Sequence, residues 1–322
     1  MSDDLSLFYA ADLHGSDLCF KKWLNAGRFY GADIVVIGGD LTGKVLVPIV
    51  PAANGAGRWS ATWDGRAVRL ETRAEVEAFT RTVRERGAYG FETTTDEVEA
   101  IRGSAELERA VFARLKVAAL EEWVTLADAR LADGGPRAIV MPGNDDPEEI
   151  DAVLETARTL ENANGCALEL APGIWMASRG ESTPTPWNTP REVSDEVLGE
   201  RVASVVEQIP ANATAIWNIH MPPHRTGVDE APLLDDHLRV RYDGSGEPLM
   251  RPVGSESLRD LILERQPTLA LHGHIHEGRG RYKLGRTVGF NPGSRYEDGA
   301  LMGVLLRIST GKGLRDHAFT VG

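Results

Sequence analysis

Short apolar runs alternate with longer amphipathic stretches over most of the chain. Residues 5–11 are an apolar run that ends at Asp12, the segment up to Gly31 suits a helix, and residues 33–37 are a second buried strand. This is a β-α-β opening. Further strands are predicted at 137–141, 174–178, 214–219 and 268–271, with helices at 146–160, 193–208 and 255–265. The alternation predicts a layered α/β fold.

Residues 42–135 interrupt this alternation. Asp64-Gly65 stands between two alternating runs and predicts a hairpin turn. Residues 73–131 are rich in Ala, Glu, Arg and Leu at helical spacing, which predicts two or three amphipathic helices. We interpret residues 1–322 as a single domain that carries a mainly helical, hairpin-plus-helices insertion at 42–135. The insertion is either peripheral stabilising structure or a cap that narrows access to a site.

Composition and charge exclude several classes of protein. Hydrophobic residues make up 42% and charged residues 26% of the chain, as in ordinary globular proteins. The net charge of -13 repels polyanions, so long nucleic acid is not an expected partner. Cys19 and Cys166 have no paired spacing, which argues against a disulfide framework or a thiolate zinc site. Without a leader or a membrane-length apolar run, we expect a cytoplasmic protein with no membrane partner; the oligomeric state stays open.

Side chains that can bind metal follow five of the predicted strands, where an open α/β sheet binds its ligands. They lie in Asp12-Leu13-His14, Gly38-Gly39-Asp40, Gly143-Asn144-Asp145-Asp146, His220 and Gly273-His274-Ile275-His276. In extended chain, the spacing of Asp12 and His14 points both side chains to one side. A single Asp after a strand is usually a helix cap and a single His is usually structural, so the inference depends on all five motifs together. Together they predict a metal site.

The five motifs, in this order, resemble those of the calcineurin-like metallophosphoesterases, which read Asp-x-His, Gly-Asp, Gly-Asn-His-Asp/Glu, a single His and Gly-His-x-His. The resemblance covers nearly the whole chain outside residues 42–135. Residues 183–192, 220–223 and 291–294 also look like a little-characterised prokaryotic branch of the family. The resemblance implies a layered β-sandwich core flanked by helices.

The resemblance also implies two divalent metal ions that share Asp40. It assigns Asp12, His14, Asp40 and His276 to one ion and Asp40, Asn144, His220 and His274 to the other. Mixed imidazole and oxygen donors suit Mn, Fe, Zn or Co. Two such ions about 4 Å apart lower the pKa of a shared water, clamp the phosphoryl oxygens and place a bridging hydroxide for in-line attack. The implied activity is hydrolysis of a phosphate monoester or diester of a small phosphorylated molecule or nucleotide.

One position departs from the family pattern, because Asp145 stands where the family has a His that is taken to stabilise the transition state or to protonate the leaving oxygen. A carboxylate beside two dications stays anionic, so it is a poor proton donor and repels phosphate. Asp145 then orients a water or a third cation, or His224 supplies the missing imidazole, or the leaving group is acidic enough to need no acid. We favour the third reading and treat Asp145 and His224 as candidate catalytic residues.

Two other functions share this metal site. A catalytically weak or inactive interaction scaffold is the main alternative, since loss of the family His would leave the architecture intact. A protein phosphatase normally needs an open groove, which an insertion folded over the site would disfavour. We expect an enzyme, because a scaffold has no need to keep seven ligating side chains.

Overall fold

Two six-stranded sheets form the centre of the fold. The computed structural model describes residues 4–52 and 57–322, so the first three residues of the single-domain assignment and residues 53–56 of the insertion lie outside the described residues. Across the first sheet the strands are β18 (Gly313–Val321), β17 (Met302–Ser309), β1 (Asp4–Ala10), β2 (Ile34–Gly38), β7 (Arg137–Met141) and β8 (Leu160–Asn162). Across the second they are β15 (Gly280–Leu284), β16 (Thr287–Asn291), β14 (Leu269–Leu271), β11 (Thr214–Ile219), β10 (Ile174–Arg179) and β9 (Ala167–Ala171).

The strands that precede the five motifs are parallel within each sheet. In the first sheet β1 pairs in parallel with β2, and β2 with β7. In the second sheet β11 pairs in parallel with β14. The carboxyl ends of parallel neighbours lie at the same edge of their sheet, so this topology brings the motif loops of each sheet together.

Alternation along the strands builds a separate core on each face of the first sheet. Leu7 and Tyr9 of β1 lie in an apolar cluster with Ile216 and Phe290 of the second sheet, so the two sheets pack face to face. Phe8 points to the opposite face and lies in another cluster with helical residues. The period of two therefore places one set of side chains between the sheets and the other under helices.

Helices cover both outer faces of the sandwich. α1 (Asp17–Tyr30), α4 (Ala105–Leu131) and α5 (Glu149–Glu155) lie against the first sheet, and α6 (Asp195–Val206) and α7 (Glu256–Arg265) against the second. α1 begins where the Ser16 hydroxyl accepts a bond from the Cys19 amide and ends at Gly31, whose left-handed φ of 65° is easy only for glycine. The predicted sandwich flanked by helices is confirmed.

The predicted elements of the core match the observed ones to within a few residues, with one exception. The helix predicted at 146–160 is present but shorter than predicted, because α5 spans only Glu149–Glu155 and β8 begins at Leu160. Asp146 does not begin a helix there: its carboxylate bonds to the amides of neighbouring loops instead. The chain therefore turns through residues 144–148 before α5 begins.

The segment 42–135 contains a small sheet and three helices. Its strands are β3 (Val45–Pro51), β4 (Trp59–Trp63), β5 (Arg66–Leu70) and β6 (Ala88–Glu92), in the order β5-β4-β3-β6, and its other helices are α2 (Arg73–Glu85) and α3 (Thr95–Gly103). The predicted hairpin is confirmed: β4 pairs antiparallel with β5, and Asp64 and Gly65 both have the positive φ of a tight hairpin turn. The sequence pattern did not predict β3 and β6. The cap role of this segment stays a prediction.

Two smaller features complete the described residues. β12 (Glu230–Pro232) pairs antiparallel with β13 (Met250–Pro252), and a short 3-10 helix spans Tyr296–Asp298. Among the helices of residues 4–52 and 57–322, none combines the length and apolar character needed to cross a membrane.

Candidate metal centre

The seven residues predicted as metal ligands converge at the carboxyl ends of β1, β2, β7, β11 and β14. They are Asp12, His14, Asp40, Asn144, His220, His274 and His276. The first five are buried, whereas the side chain of His276 is 26% exposed. Their role as ligands stays a prediction, and their proximity is a property of the fold.

The donor atoms fall into two groups with Asp40 between them. His14 Nε2 and His276 Nε2 lie 3.0 Å apart in one group. In the other, Asn144 Oδ1 lies 2.7 Å from His274 Nδ1 and 3.1 Å from His220 Nε2. The sequence reading assigned these groups to different ions.

Asp40 is placed to serve both groups. Its Oδ2 lies 3.5 Å from His14 Nε2 and 3.4 Å from His220 Nε2. Asp12 Oδ1 also borders both groups, at 3.8 Å from His276 and from His220. Donors about 2.1 Å from one cation, at angles of about 90–110°, lie about 3.0–3.4 Å from one another, so the observed spacings of 3.0, 3.1 and 3.4 Å fit a metal site.

Four of the seven residues have a left-handed backbone. The φ angle is 56° at Asp12, 42° at His14, 53° at Asp40 and 67° at His274. The expectation that Asp12 and His14 lie in extended chain is therefore wrong, and both reach the site from a tight turn. Each such residue costs on the order of 1 kcal/mol and persists only where surrounding bonds hold it. Here the Asp12 amide donates to the Gly39 carbonyl at 3.0 Å and the His14 amide to the Asp40 carbonyl at 2.9 Å.

Two motif glycines make room for the ligands. Gly39 has a φ of 115°, and a Cβ at this position would collide with the ring of His220. A Cβ at Gly143 would collide with the carboxylate and amide of Asp40. The glycines thus let two loops approach each other closely enough to bring their ligands together.

Hydrogen bonds behind the ligands determine which atoms face the site. His220 Nδ1 donates to the Gly38 carbonyl at 2.8 Å, which leaves Nε2 free to accept. Asn144 Nδ2 donates to Thr189 Oγ1 at 2.9 Å, and the Thr189 hydroxyl donates to Glu192 at 2.7 Å. Asn144 therefore presents its carbonyl oxygen to the site. This accounts for part of the segment 183–192, which the sequence reading had noticed without giving it a role.

Burial changes the protonation of the cluster. Burial lowers the pKa of His274 and of His276 to about 3, so both imidazoles are neutral at pH 7, the form that binds metal. Burial raises the pKa of Asp12 to about 7, although the nearby His220 opposes the rise. Burial opposes protonation of His220, but the Asp40 and Asp12 carboxylates raise its pKa to about 9. The neutral imidazoles of His274 and His276 beside buried carboxylates are a donor set that fits a divalent cation, and His220 would release its proton on binding one.

Asp146 holds the second and third motif loops together, and the sequence reading gave it no role. Its Oδ2 accepts from the amides of Leu41 at 2.9 Å and Gly143 at 2.8 Å. Its Oδ1 accepts from the Thr42 amide at 2.8 Å and the Thr42 hydroxyl at 2.5 Å. The side chain is fully buried, so these bonds replace all of its contact with water.

Asp145 lies beside the cluster and pairs with a lysine. Its Oδ2 is 2.8 Å from Lys44 Nζ and 3.8 Å from His14 Nδ1. Its amide donates to Asp40 Oδ1 at 3.0 Å, and Lys116 of α4 donates to its carbonyl at 2.6 Å. The sequence reading missed Lys44. The available signal was its position four residues after Asp40 in the same motif loop.

His224 has other partners in the part of the chain that the structure describes. Its Nδ1 lies 3.8 Å from Asp229 Oδ2, its Nε2 lies 3.8 Å from Glu256 Oε1, and its amide donates to the Ser255 carbonyl at 2.9 Å. These partners lie just before β12 and at the start of α7. They offer no support for His224 as the missing imidazole.

Comparison with known proteins shows distant relatives. No family model matches the chain. It is 29% identical over 157 residues to "Uncharacterized protein MJ1162" of Methanocaldococcus jannaschii, a match that covers 48% of this chain and 62% of that protein. The crystal structure of TT1561 of Thermus thermophilus matches over 99% of this chain and 98% of its own, with 15% identity and a TM-score of 0.50.

A third match is described as a novel archaeal phosphodiesterase, with 8% identity and a TM-score of 0.37 over 99% of this chain and all of its own. A likeness at that score says nothing of the activity of this chain. The chain itself combines a two-sheet sandwich with five motifs in the family order, and the fold brings side chains of all five motifs together. The chain shares its overall fold with TT1561, and its five motifs resemble those of the calcineurin-like metallophosphoesterases.

Proposed function

We propose that this chain hydrolyses phosphate esters with the help of two divalent metal ions. The observation that supports the proposal is the arrangement of the donor atoms, in two groups on either side of Asp40, with contacts of 2.7–3.8 Å. In each of the groups Asp12-His14-His276, Asp12-Asp40-His220 and His14-Asp40-Asp145, the ligand atoms lie within 4.8 Å of one another. A site for a single ion would not need so many donors.

The residues have distinct parts in this proposal. Asp12, His14, Asp40 and His276 would hold one ion, and Asp40, Asn144, His220 and His274 the other. When bound, such ions neutralise charge on the phosphoryl oxygens and make water a better nucleophile near neutral pH. The chain itself orients the donors through the Gly38 carbonyl and Thr189, and holds the two loops in register through Asp146.

The substrate reaches the site from one side. The side chains of Lys44, His276 and Asp145 are 38%, 26% and 15% exposed, whereas those of Asp12 and His220 are inaccessible. Segment 42–135 begins at this opening, where the Gly43 amide donates to the Tyr89 hydroxyl of β6 at 2.8 Å. We therefore propose a small phosphorylated molecule or nucleotide as substrate, with this segment as a cap that limits access by larger partners, long nucleic acid among them.

Asp145 is an unsuitable proton donor for the leaving group. Burial and the Asp40 carboxylate raise the pKa of Asp145, whereas the Lys44 ammonium at 2.8 Å opposes this rise. Two bound cations would lower that pKa and favour the carboxylate over the acid. The leaving oxygen therefore departs without help from Asp145. We expect the rate to fall steeply as the pKa of the leaving group rises, across a series of aryl and alkyl phosphate esters. A rate that does not change with the pKa of the leaving group would show that another group donates the proton.

The proposal is tested by metal content followed by turnover. Purified protein is loaded with Mn²⁺, its metal is counted, and hydrolysis of p-nitrophenyl phosphate and bis(p-nitrophenyl) phosphate is measured. We expect two ions per chain and turnover of at least one ester. The variant His274→Ala should lose both metal and turnover, whereas the matched control His237→Ala, at an exposed loop position, should lose neither.

The same experiment separates the enzyme from the interaction scaffold. The observation in favour of a scaffold is the replacement of the family His by Asp145. A wild-type protein that holds two ions but turns over neither activated ester would support the scaffold and overturn the hydrolase. A protein that retains no ion would overturn both metal-dependent readings.

A further inference from the structure

Lys44 is the most exposed charged side chain at the mouth of the candidate site. Its ammonium lies 2.8 Å from Asp145 Oδ2. That carboxylate lies within 4.8 Å of ligand atoms of His14 and Asp40. A phosphoryl group bound at the donor cluster would therefore lie within reach of the Lys44 ammonium.

The backbone on both sides of Lys44 is firmly held. Two residues before it, Thr42 bonds to Asp146 through its amide and its hydroxyl. Directly after it, Val45 begins β3 and pairs with Ala88 of β6. The Lys44 backbone is therefore held in place, and only the torsions of its side chain are free. This suits a residue that must contact a bound substrate group.

The charges around Lys44 explain why a cation is needed there. A phosphoryl group that enters from the mouth passes the Asp145 carboxylate, which repels it. Lys44 neutralises that carboxylate in the free protein and offers an ammonium to the phosphoryl oxygens. Lysine binds phosphate as a compact point charge, and a donor held close to a reacting oxygen lowers the barrier as charge develops on it.

We propose that Lys44 is a catalytic residue that binds a non-bridging phosphoryl oxygen of the substrate, and that Asp145 positions its ammonium. The inference rests on the proposed function and goes beyond it by naming the residue that replaces the family His. In the reaction a bond forms between water oxygen and phosphorus, and the bond from phosphorus to the leaving oxygen breaks. Lys44 keeps its proton throughout, the attacking water gives up a proton to solvent, and the leaving oxygen takes its proton from solvent.

A purely structural ion pair is the competing explanation, and it makes different predictions. If the pair only braced the loop, loss of the ammonium would alter stability or metal content and would leave phosphate affinity unchanged in protein that is loaded. If Lys44 binds the phosphoryl group, loss of its charge weakens phosphate binding at full metal occupancy, and an arginine restores part of it.

The test compares Lys44→Met, Lys44→Arg and the control Lys283→Met, which removes an exposed lysine from the edge strand β15. Each protein is loaded with Mn²⁺, its metal is counted, and the Kd for inorganic phosphate is measured by calorimetry. With equal metal content, we expect Lys44→Met to raise the Kd about 10-fold or more and to lower kcat for p-nitrophenyl phosphate about 100-fold. Lys44→Arg should recover much of both, and Lys283→Met should match wild type.

Several outcomes would overturn the inference. Unchanged phosphate affinity and kcat in fully loaded Lys44→Met would show that the ammonium does not touch the phosphoryl group. Loss of metal in both Lys44 variants would assign the residue to the structure of the site. The proposed function is judged separately, by turnover of the wild-type protein: if that protein binds phosphate without hydrolysing either ester, the hydrolase fails, while a weaker Kd in Lys44→Met still supports phosphate binding by Lys44.

Discussion

Replacement of Asp146 tests whether the protein itself assembles the candidate metal centre. The carboxylate accepts three backbone amides and one hydroxyl, from Leu41, Thr42 and Gly143. In Asp146→Ala these donors lose their acceptor in a buried place, and each unsatisfied group costs about 1–3 kcal/mol before relaxation. Loop movement or an entering water recovers part of this, so we expect a net loss of about 4 kcal/mol, as for other broken buried networks.

Asp146→Asn should cost less, and the structure shows why. The amide carbonyl can keep the two bonds at the Oδ2 position, while the NH2 group donates to the Thr42 hydroxyl and leaves the Thr42 amide without an acceptor. One lost bond to a charged acceptor costs about 1.5–3 kcal/mol. We therefore expect the order wild type, Asn variant, Ala variant in decreasing stability.

The assay is urea unfolding followed by circular dichroism, in EDTA so that a change in metal affinity does not enter the measured stability. The matched control is Asp243→Asn. Asp243 is exposed but also accepts two amides and a hydroxyl, from Glu247 and Ser245. Water can replace the hydrogen bonds that Asp243 loses, so the stability of Asp243→Asn should stay near that of the wild type. If Asp146→Ala were as stable as Asp243→Asn, the reasoning about buried acceptors would be refuted.

Three further predictions follow from contacts around the site. Removal of metal by EDTA should abolish turnover and lower the Tm by a few degrees while the circular dichroism spectrum keeps its native shape, because the apolar core lies between the sheets and not at the ligands; a fully unfolded spectrum would contradict this. Thr189→Val removes the acceptor that orients Asn144 and should weaken Mn²⁺ binding about 10-fold in a chelator competition. Thr185→Val, which loses a bond to Glu192 and one from the Trp187 amide but none to Asn144, should not weaken it. Tyr282→Phe leaves buried His272 Nε2 without its 2.8 Å partner and should lower the free energy of unfolding in urea by about 1–2 kcal/mol with kcat unchanged. If the variant also lost bound metal, the pair of Tyr282 and His272 would instead support the metal site.

The pattern of apolar residues was sufficient to predict the strands that position the site. β1, β2, β7 and β11 are short, buried runs, each followed directly by a motif, and their positions were predicted to within about two residues. Such strands are buried on both faces, so their sequences are mostly apolar and easy to distinguish from helices when a motif ends them. Parallel pairing explains why the strand ends meet within each sheet, whereas the meeting of the two sheets' motif loops also needs the two sheets to pack face to face.

The local sequence pattern gave a wrong prediction where a polar side chain forms hydrogen bonds with residues distant in sequence. The segment after Asn144 has a helical pattern, but Asp146 bonds to loop residues about 105 positions earlier, and the chain turns instead. The pairing of Lys44 with Asp145 has the same character, since the two residues come from different loops. A sequence contains both partners of such a contact, but the contact exists only after the strands have placed the loops side by side.

The segment 42–135 shows a third kind of failure. β3 contains Pro48 and ends at Pro51, and proline cannot donate to a ladder, so this stretch did not read as a strand. In the structure β3 pairs with β6 over residues 45–49, while only Val50 and Pro51 pair with β4. The edge of β3 that faces β4 is therefore unpaired over most of its length. A proline is tolerated on such an edge, because no neighbouring strand needs its missing amide.

The strained backbone of the candidate centre indicates that the fold, and not the metal, determines its geometry. Left-handed φ angles at Asp12, His14 and Asp40 oppose folding, and unbound ligands cannot offset that cost. The offset comes from bonds within the protein: amide to carbonyl between the first two motif loops, and the four bonds to Asp146 between the second and third. A site assembled in this way presents its donors before any ion arrives, so ion binding requires little further ordering of the chain. The same bonds keep Asp40 between the two donor groups, so replacement of Asp146 disturbs the position of Asp40 without removing a candidate ligand.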